Sequence, residues 1–214
     1  HTDSSAASDV YKRQNQYWST VELFGSERVE ALRGSHGVLF GADAVGGIVN
    51  SLSSEPQYSN QKKTRSFEAL GRASSAENSW SAGFSAEVSS PKWFAEISHI
   101  ERSFGDLEGG KKVGRQKNTG YDKGGSQARL SRKLSEHANL IFGIQKNFMN
   151  EVPRTHKTID GLTWEGLSPG KEIWRRIDQD RNLYYGRLAW DDIEGIANSG
   201  ILTLSLHTHD QERN

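Results

Sequence analysis

The stretch Glu27–Ser51, ERVEALRGSHGVLFGADAVGGIVNS, decides how the rest of the chain is read. Val29 and Ala31, with the flanking Glu30 and Leu32, make a short extended run that ends at Gly34. Val38, Leu39 and Ala42 are spaced like one face of a short helix. Gly41, Gly46 and Gly47 punctuate the segment and allow close backbone approach or positive φ. Ile48, Val49 and Asn50 restart a β-prone run. The unit therefore reads strand, glycine turn, short helix, double glycine, strand. A glycine-rich βαβ-like nucleotide site is the bland alternative. A dinucleotide fingerprint needs G-x-G-x-x-G straight after a strand, and Gly37, Gly41, Gly46 and Gly47 do not keep that spacing. The Gly-Lys-Ser/Thr of a P-loop is absent.

The ordered set Glu27, Arg28, Val29, Glu30, Leu32, Arg33, Gly34, then Gly41, Ala44, Gly46, Gly47, Ile48, Val49 and Asn50 resembles the C-terminal half of the plug domain of TonB-dependent outer-membrane receptors. That family commonly has a Glu-Arg-Ile/Val-Glu-Val/Ile-Leu-Arg-Gly strand and a short Ser/Ala-containing helix. A Tyr-Gly-x-x-Ala-x-Gly-Gly run leading into a strand that ends in Asn follows. Phe40 stands where the family usually has Tyr, and Ser35-His36 where a Pro-containing pair is common; neither changes the apolar/small pattern. The resemblance implies a mainly β fold: the C-terminal part of a plug, then about seven antiparallel strands of an incomplete transmembrane β-barrel, which in such transporters has about 22 strands.

Composition sets the outer bounds. The 214 residues carry 27 Lys+Arg against 27 Asp+Glu, so no net field favours nucleic acid. Hydrophobic residues make up only 34%, but 22 glycines bring the chain close to ordinary apolar content. No run of 18 apolar residues suggests a membrane helix, and strands of a barrel escape that test. Cysteine is absent, which excludes disulfide staples and Cys-based metal sites.

The ends suggest a piece of a longer protein. Ser4–Gln14, SSAASDVYKRQ, looks like translated sequencing-adapter read-through, the alternative being a disordered tail. The expected organisation is thus a non-native tail at 1–14, the C-terminal part of a plug at 15–55, a polar connector at 56–63 and the N-terminal part of a barrel at 64–214.

Beyond the connector one theme repeats: a strand of about 10 residues with period-2 alternation, then a turn. Strands are expected at 64–74, 79–89, 92–102, 125–134, 139–148, 181–190 and 200–208. In the second, Trp80, Ala82, Phe84, Ala86 and Val88 alternate with Ser79, Ser81, Gly83, Ser85 and Glu87; in the last, Leu202, Leu204 and Leu206 oppose Thr203, Ser205 and His207. A soluble β-sandwich could carry the same split. Loop parity favours a barrel wall, because the links at about 104–124 and 149–180 are long and fall on one side, while the links of the other side are short. Trp93 and Trp190 fall at the short-turn ends, on the apolar faces, where an aromatic girdle belongs.

By resemblance, Glu27, Arg28, Glu30, Arg33, Gly34, Gly41, Gly46, Gly47 and Asn50 form the plug motif and its interface with the barrel. Glu30 and Arg33 are expected to face wall charges such as Glu68, Arg72, Glu87 and Glu96, the alternative being solvated surface charges. Arg154, His156, Trp164 and Trp174 fall in the second long loop and are candidate ligand contacts, since binding residues concentrate on loops. His207 and His209 point the same way on a strand and read as a polar pair rather than a metal site. His36 reads as a polar residue at a helix start. No catalytic pattern is present, so the chain is read as no enzyme, with no cofactor and no metal.

The resemblance implies a receptor in the outer membrane of a Gram-negative bacterium, in contact with outer-membrane lipid. Its activity would be energy-coupled uptake of a scarce nutrient. The usual cargo is a ferric siderophore, with haem, cobalamin or glycans as other options. The partner implied is a TonB-type energy-coupling complex, reached through a segment outside this chain. A soluble β-sandwich adhesion module is the rival of a different class.

Overall fold

The computed structural model describes residues 20–34, 47–110, 113–161, 168–192 and 198–214. The protein is mainly β, in two antiparallel sheets. Strands β1 (Ser26–Arg33) and β2 (Gly47–Ser53) form a two-stranded ribbon, with Glu30 opposite Asn50 and Leu32 opposite Ile48. The two β-prone runs on either side of the glycines are therefore partners. Gly47 sits at φ +136°, and a Cβ there would meet the Leu32 carbonyl oxygen at 2.4 Å, so strand approach itself demands glycine. The expected short helix, with His36, Gly41, Ala44 and Gly46, lies outside the described residues.

The second sheet has seven strands in sequence order: β3 (Thr64–Ser74), β4 (Ser79–Ser89), β5 (Trp93–Phe104), β6 (Tyr121–Lys133), β7 (Ala138–Pro153), β8 (Arg176–Trp190) and β9 (Gly200–Arg213). The bounds of β3 and β4 are those read from alternation. The other five run longer at the ends that meet the links at 105–120 and 154–175 or, for β9, at its C-terminal end. β6 begins at Tyr121, whose ring stacks on Phe104 at 4.8 Å, and then takes in Asp122, Lys123 and a glycine pair. Asp and Gly are depleted in strands, so those residues read as loop. Cross-strand pairing, not apolar alternation, carries the strands past the apolar zone. β7 extends through an irregularity between Met149 and Val152, where Glu151 adopts φ +56°.

Register lines the two faces up residue by residue. One row across the sheet runs Phe67, Ala86, Ile97, Ala128, Ile144, Tyr184, Leu206. The adjacent row, pointing the other way, runs Glu68, Ser85, Ser98, Gln127, Gln145, Leu183, His207. The apolar face is open: Phe67 is 71% exposed, Leu204 73% and Leu206 62%. The large apolar side chains that are buried, Phe94, Ile100, Ile141, Met149 and Ile177, belong to the polar face instead. There the segments flanking the ribbon, 20–25 and 54–58, lie over the sheet. Burying a Leu- or Phe-sized side chain is worth roughly 1.5–3 kcal/mol, so an uncovered apolar face of this breadth marks a surface that meets something other than water.

Candidate functional site

The covered polar face is held by charged and backbone contacts at both ends of the β1–β2 ribbon. Ahead of β1, Glu22 takes Arg102 of β5 in a fork: one terminal nitrogen donates to Oε1 at 2.9 Å and the other to Oε2. The same carboxylate accepts from the backbone N–H of Leu23 at 2.9 Å and of Phe24 at 2.8 Å. Burial pushes the Glu22 carboxyl up, but the Arg102 hydrogen bond, the Phe24 amide and the charges of Arg102 and Lys123 outweigh it, and its pKa lies below the ordinary value. Lys123 donates to the Val21 carbonyl at 3.3 Å, and Gln127 to that of Gly25 at 3.4 Å.

Beyond β2 the anchor is Arg129 of β6. Arg129 and Glu96 are both buried, at 7% and 4% exposure, and are ion-paired, with Arg129 Nε 2.9 Å from Glu96 Oε2. The guanidinium then reaches out of the sheet, donating to the Ser54 carbonyl at 2.6 Å and to Ser54 Oγ at 3.1 Å. Its Cζ lies over the Phe94 ring, 5.7 Å from the ring centre. Tyr58 and Ser131 share a hydrogen bond of 2.5 Å, Ser89 donates to the Gln57 carbonyl at 2.5 Å, and Arg187 meets Glu55 at 3.5 Å. Removing one partner of a buried ion pair costs about 3–5 kcal/mol, because the other charge stays buried.

Between these anchors the ribbon stands off the sheet: no Cα of β1 or β2 comes within 8 Å of a Cα of β3–β9. A cavity of about 940 Å³ fills the gap, lined by Asn50, Ser51, Gln127, Arg181, His207 and His209 among others.

Glu27, Arg28, Glu30 and Arg33 lie on β1, and Gly34 closes it at φ +80°. Glu30 pairs with Arg28 on its own strand at 2.9 Å, not with a charge of the seven-stranded sheet. Glu96 is taken by Arg129, and Glu87 accepts from Ser66 at 3.2 Å. Arg33 is exposed at the end of β1. The stand-off of the ribbon explains this: at that distance the charges that bridge to the sheet are those of Glu22 and Glu55, in the segments that do touch it. Asn50 of the motif lines the cavity. Glu22, Ser54 and Tyr58 carry no signal in the sequence, because they lie in irregular chain with no periodicity. Arg102 and Arg129 were legible only as polar-face residues.

In the loop between β7 and β8, Arg154 is half-buried and its N–H donates to the Arg175 carbonyl at 2.9 Å, while Trp174 is 57% exposed. The side chain of His156, and Trp164 altogether, lie outside the described residues. The loop between β5 and β6 is pinned by Asp106, which accepts from Thr119 N at 3.0 Å, Gly120 N at 3.3 Å and Arg115 Nε at 3.3 Å. The Thr119 amide leads in holding the Asp106 carboxyl below its ordinary pKa, against burial and with help from Gly120 and Arg115. Asn118 donates to Asp160 at 3.0 Å and so ties the two loops together. His207 accepts from Arg181, and among the described residues no group of three or more metal-ligating side chains is present.

No protein-family model matches the chain, and no curated protein matches it. Among solved structures, the chain is similar to a mutant of the ferric enterobactin receptor from Pseudomonas aeruginosa in complex with enterobactin, at a TM-score of 0.49 and 14% identity. The match covers 87% of this chain and 33% of that one, so this chain spans about a third of that protein's length.

Proposed function

We propose that this chain is part of a TonB-dependent receptor of the outer membrane, serving energy-coupled uptake of a scarce nutrient, with a ferric siderophore as the cargo. One observation carries the reading: the meander presents an open apolar row to its surroundings while its polar row holds an N-terminal ribbon through Glu22–Arg102 and Arg129–Ser54. A wall that meets lipid on one side and a polar plug on the other needs that division. In this reading the ribbon belongs to the plug, and the loops at 105–120 and 154–175 face outward to capture ligand. The plug motif of Glu27–Asn50 and the long-short alternation of the links support the same assignment.

The test is expression of the full-length protein in a Gram-negative host lacking its own siderophore receptors. Recovery in the outer-membrane fraction, heat-modifiable mobility on gels, and uptake of radiolabelled ferric siderophore that needs the energy-coupling complex are the expected results. A protein that is monodisperse without detergent would overturn the reading in favour of a soluble β-sandwich adhesion module.

A further inference from the structure

The polar face carries several arginines, and their partners differ. Arg102 meets Glu22, Arg129 meets Glu96 and Arg187 meets Glu55. Arg181 of β8, half-buried on the same face, has no carboxylate partner among the described residues. The nearest acids along the strands, Asp180 and Asp210, face each other in the register from the opposite side of the sheet. The carboxylate that does line the cavity, Glu22, is committed to Arg102.

What surrounds Arg181 is basic or neutral. His209 stands opposite it across β8 and β9, and Asn147 opposite it on β7. His207, two residues from His209 on β9, points the same way and accepts a hydrogen bond from Arg181 Nε at 3.0 Å. That bond leaves the His207 proton on Nδ1, a donor. It also fixes the plane of the guanidinium without using its two terminal nitrogens. Arg181, His207 and His209 all line the cavity of about 940 Å³ between ribbon and sheet.

We infer that Arg181 and His207 form an oxyanion site that takes a carboxylate or phosphate group of a small molecule entering this cavity. The fork of a guanidinium matches two oxygens of such a group, and charge-assisted pairs of this geometry are the strong ones. The Nδ1–H of His207 offers a further donor, and Asn50 on the facing ribbon supplies a neutral polar group at the same cavity. The inference names the ligand chemistry of the plug–wall gap, and so rests on the receptor reading for the route by which a ligand arrives.

The experiment is calorimetric titration of the full-length protein, folded in detergent, with citrate in one arm and inorganic phosphate in the other. Saturable binding in at least one arm is expected, weakened roughly tenfold or more in Arg181→Gln, the loss of one or two charge-assisted hydrogen bonds. The arm that binds tells carboxylate from phosphate. Arg132→Gln, on the opposite face, should bind as the unaltered protein does. Should Arg181→Gln fail to fold by its circular dichroism, His207→Ala on the exposed strand β9 takes its place, with weakening in the same direction expected. Absence of binding in both arms, or equal binding after either change, overturns the site. The measurement is independent of uptake: anion binding without transport would sink the receptor reading alone, and transport without anion binding would sink this site alone.

Discussion

Arg102 on β5 holds Glu22 with both of its terminal nitrogens across 80 residues of chain, and in doing so fixes where the chain enters the ribbon. The pair is enclosed, with Glu22 9% and Arg102 21% exposed. Replacing Arg102 with Ala should destabilise the folded protein by about 3–5 kcal/mol, the cost of leaving a buried carboxylate unmatched. Changing Glu22→Gln together with Arg102→Ala should recover part of that loss. Denaturant unfolding of the three variants in detergent gives the coupling; additive losses would show that the pair contributes nothing as a pair.

The same carboxylate sets a pH dependence. Its folded pKa is depressed, so its contribution to stability is fully present above the unfolded pKa and is lost as pH falls through the folded one. Stability should hold near neutrality and decline from about pH 5 downward. Glu22→Gln should be less stable at pH 7 and show a shallower decline. Equal slopes for the two proteins between pH 6 and pH 3 would assign the acid sensitivity to other groups.

Gly125 makes room for this contact. A Cβ there would lie 2.5 Å from Asn147 Oδ1 and 3.0 Å from the Glu22 Cβ. Gly125→Ala should therefore push residue 22 off the sheet and cost about 1–3 kcal/mol, the usual range for overpacking. Gly71, with nothing within 4 Å of its added Cβ, is the control and should tolerate alanine. Thermal melts of both variants make the comparison.

The apolar row tests the environment of the sheet. Leu204→Lys should weaken folding into lipid vesicles by about 2–4 kcal/mol if that face meets the bilayer interior. At an exposed position of a soluble protein the same change stays within about 0.5 kcal/mol. Urea titration of vesicle-folded protein decides between the two.

Asp106 should govern the order of its loop. Asp106→Ala removes the acceptor for Thr119 and Gly120, and their amides should exchange with solvent markedly faster while the strands keep their protection. Hydrogen exchange read peptide by peptide checks this. Unchanged protection at both amides would place the anchor elsewhere.

How much of this was legible beforehand follows a physical line. Period-2 alternation is written in single residues, so Trp80 through Val88 and Leu202 through Leu206 announced both strand and face. The extra length of β6, β8 and β9 was not, because Asp122, Asp178 and Gln211 are held by partner strands and not by any preference of their own. The polar contacts were the least legible. Glu22 and Arg102 lie 80 positions apart, one of them in chain without period, and only the folded register brings them together. Glu30 looked like a bridging charge because it sits in a recognisable motif, yet a neighbour two residues away satisfies it first.

The strict neighbour-to-neighbour order of the seven strands has a consequence for assembly. Each strand finds its partner in chain that has just preceded it, so the sheet can grow by adding one edge at a time, with only short closures at most steps. Most of the side chains that hold the segments flanking the ribbon come from β4 to β6, namely Ser89, Arg102, Arg129 and Ser131, and Arg187 of β8 adds its contact with Glu55 later. The N-terminal segment can therefore dock when four of the strands are in place, and the later ones form along an edge that already carries it.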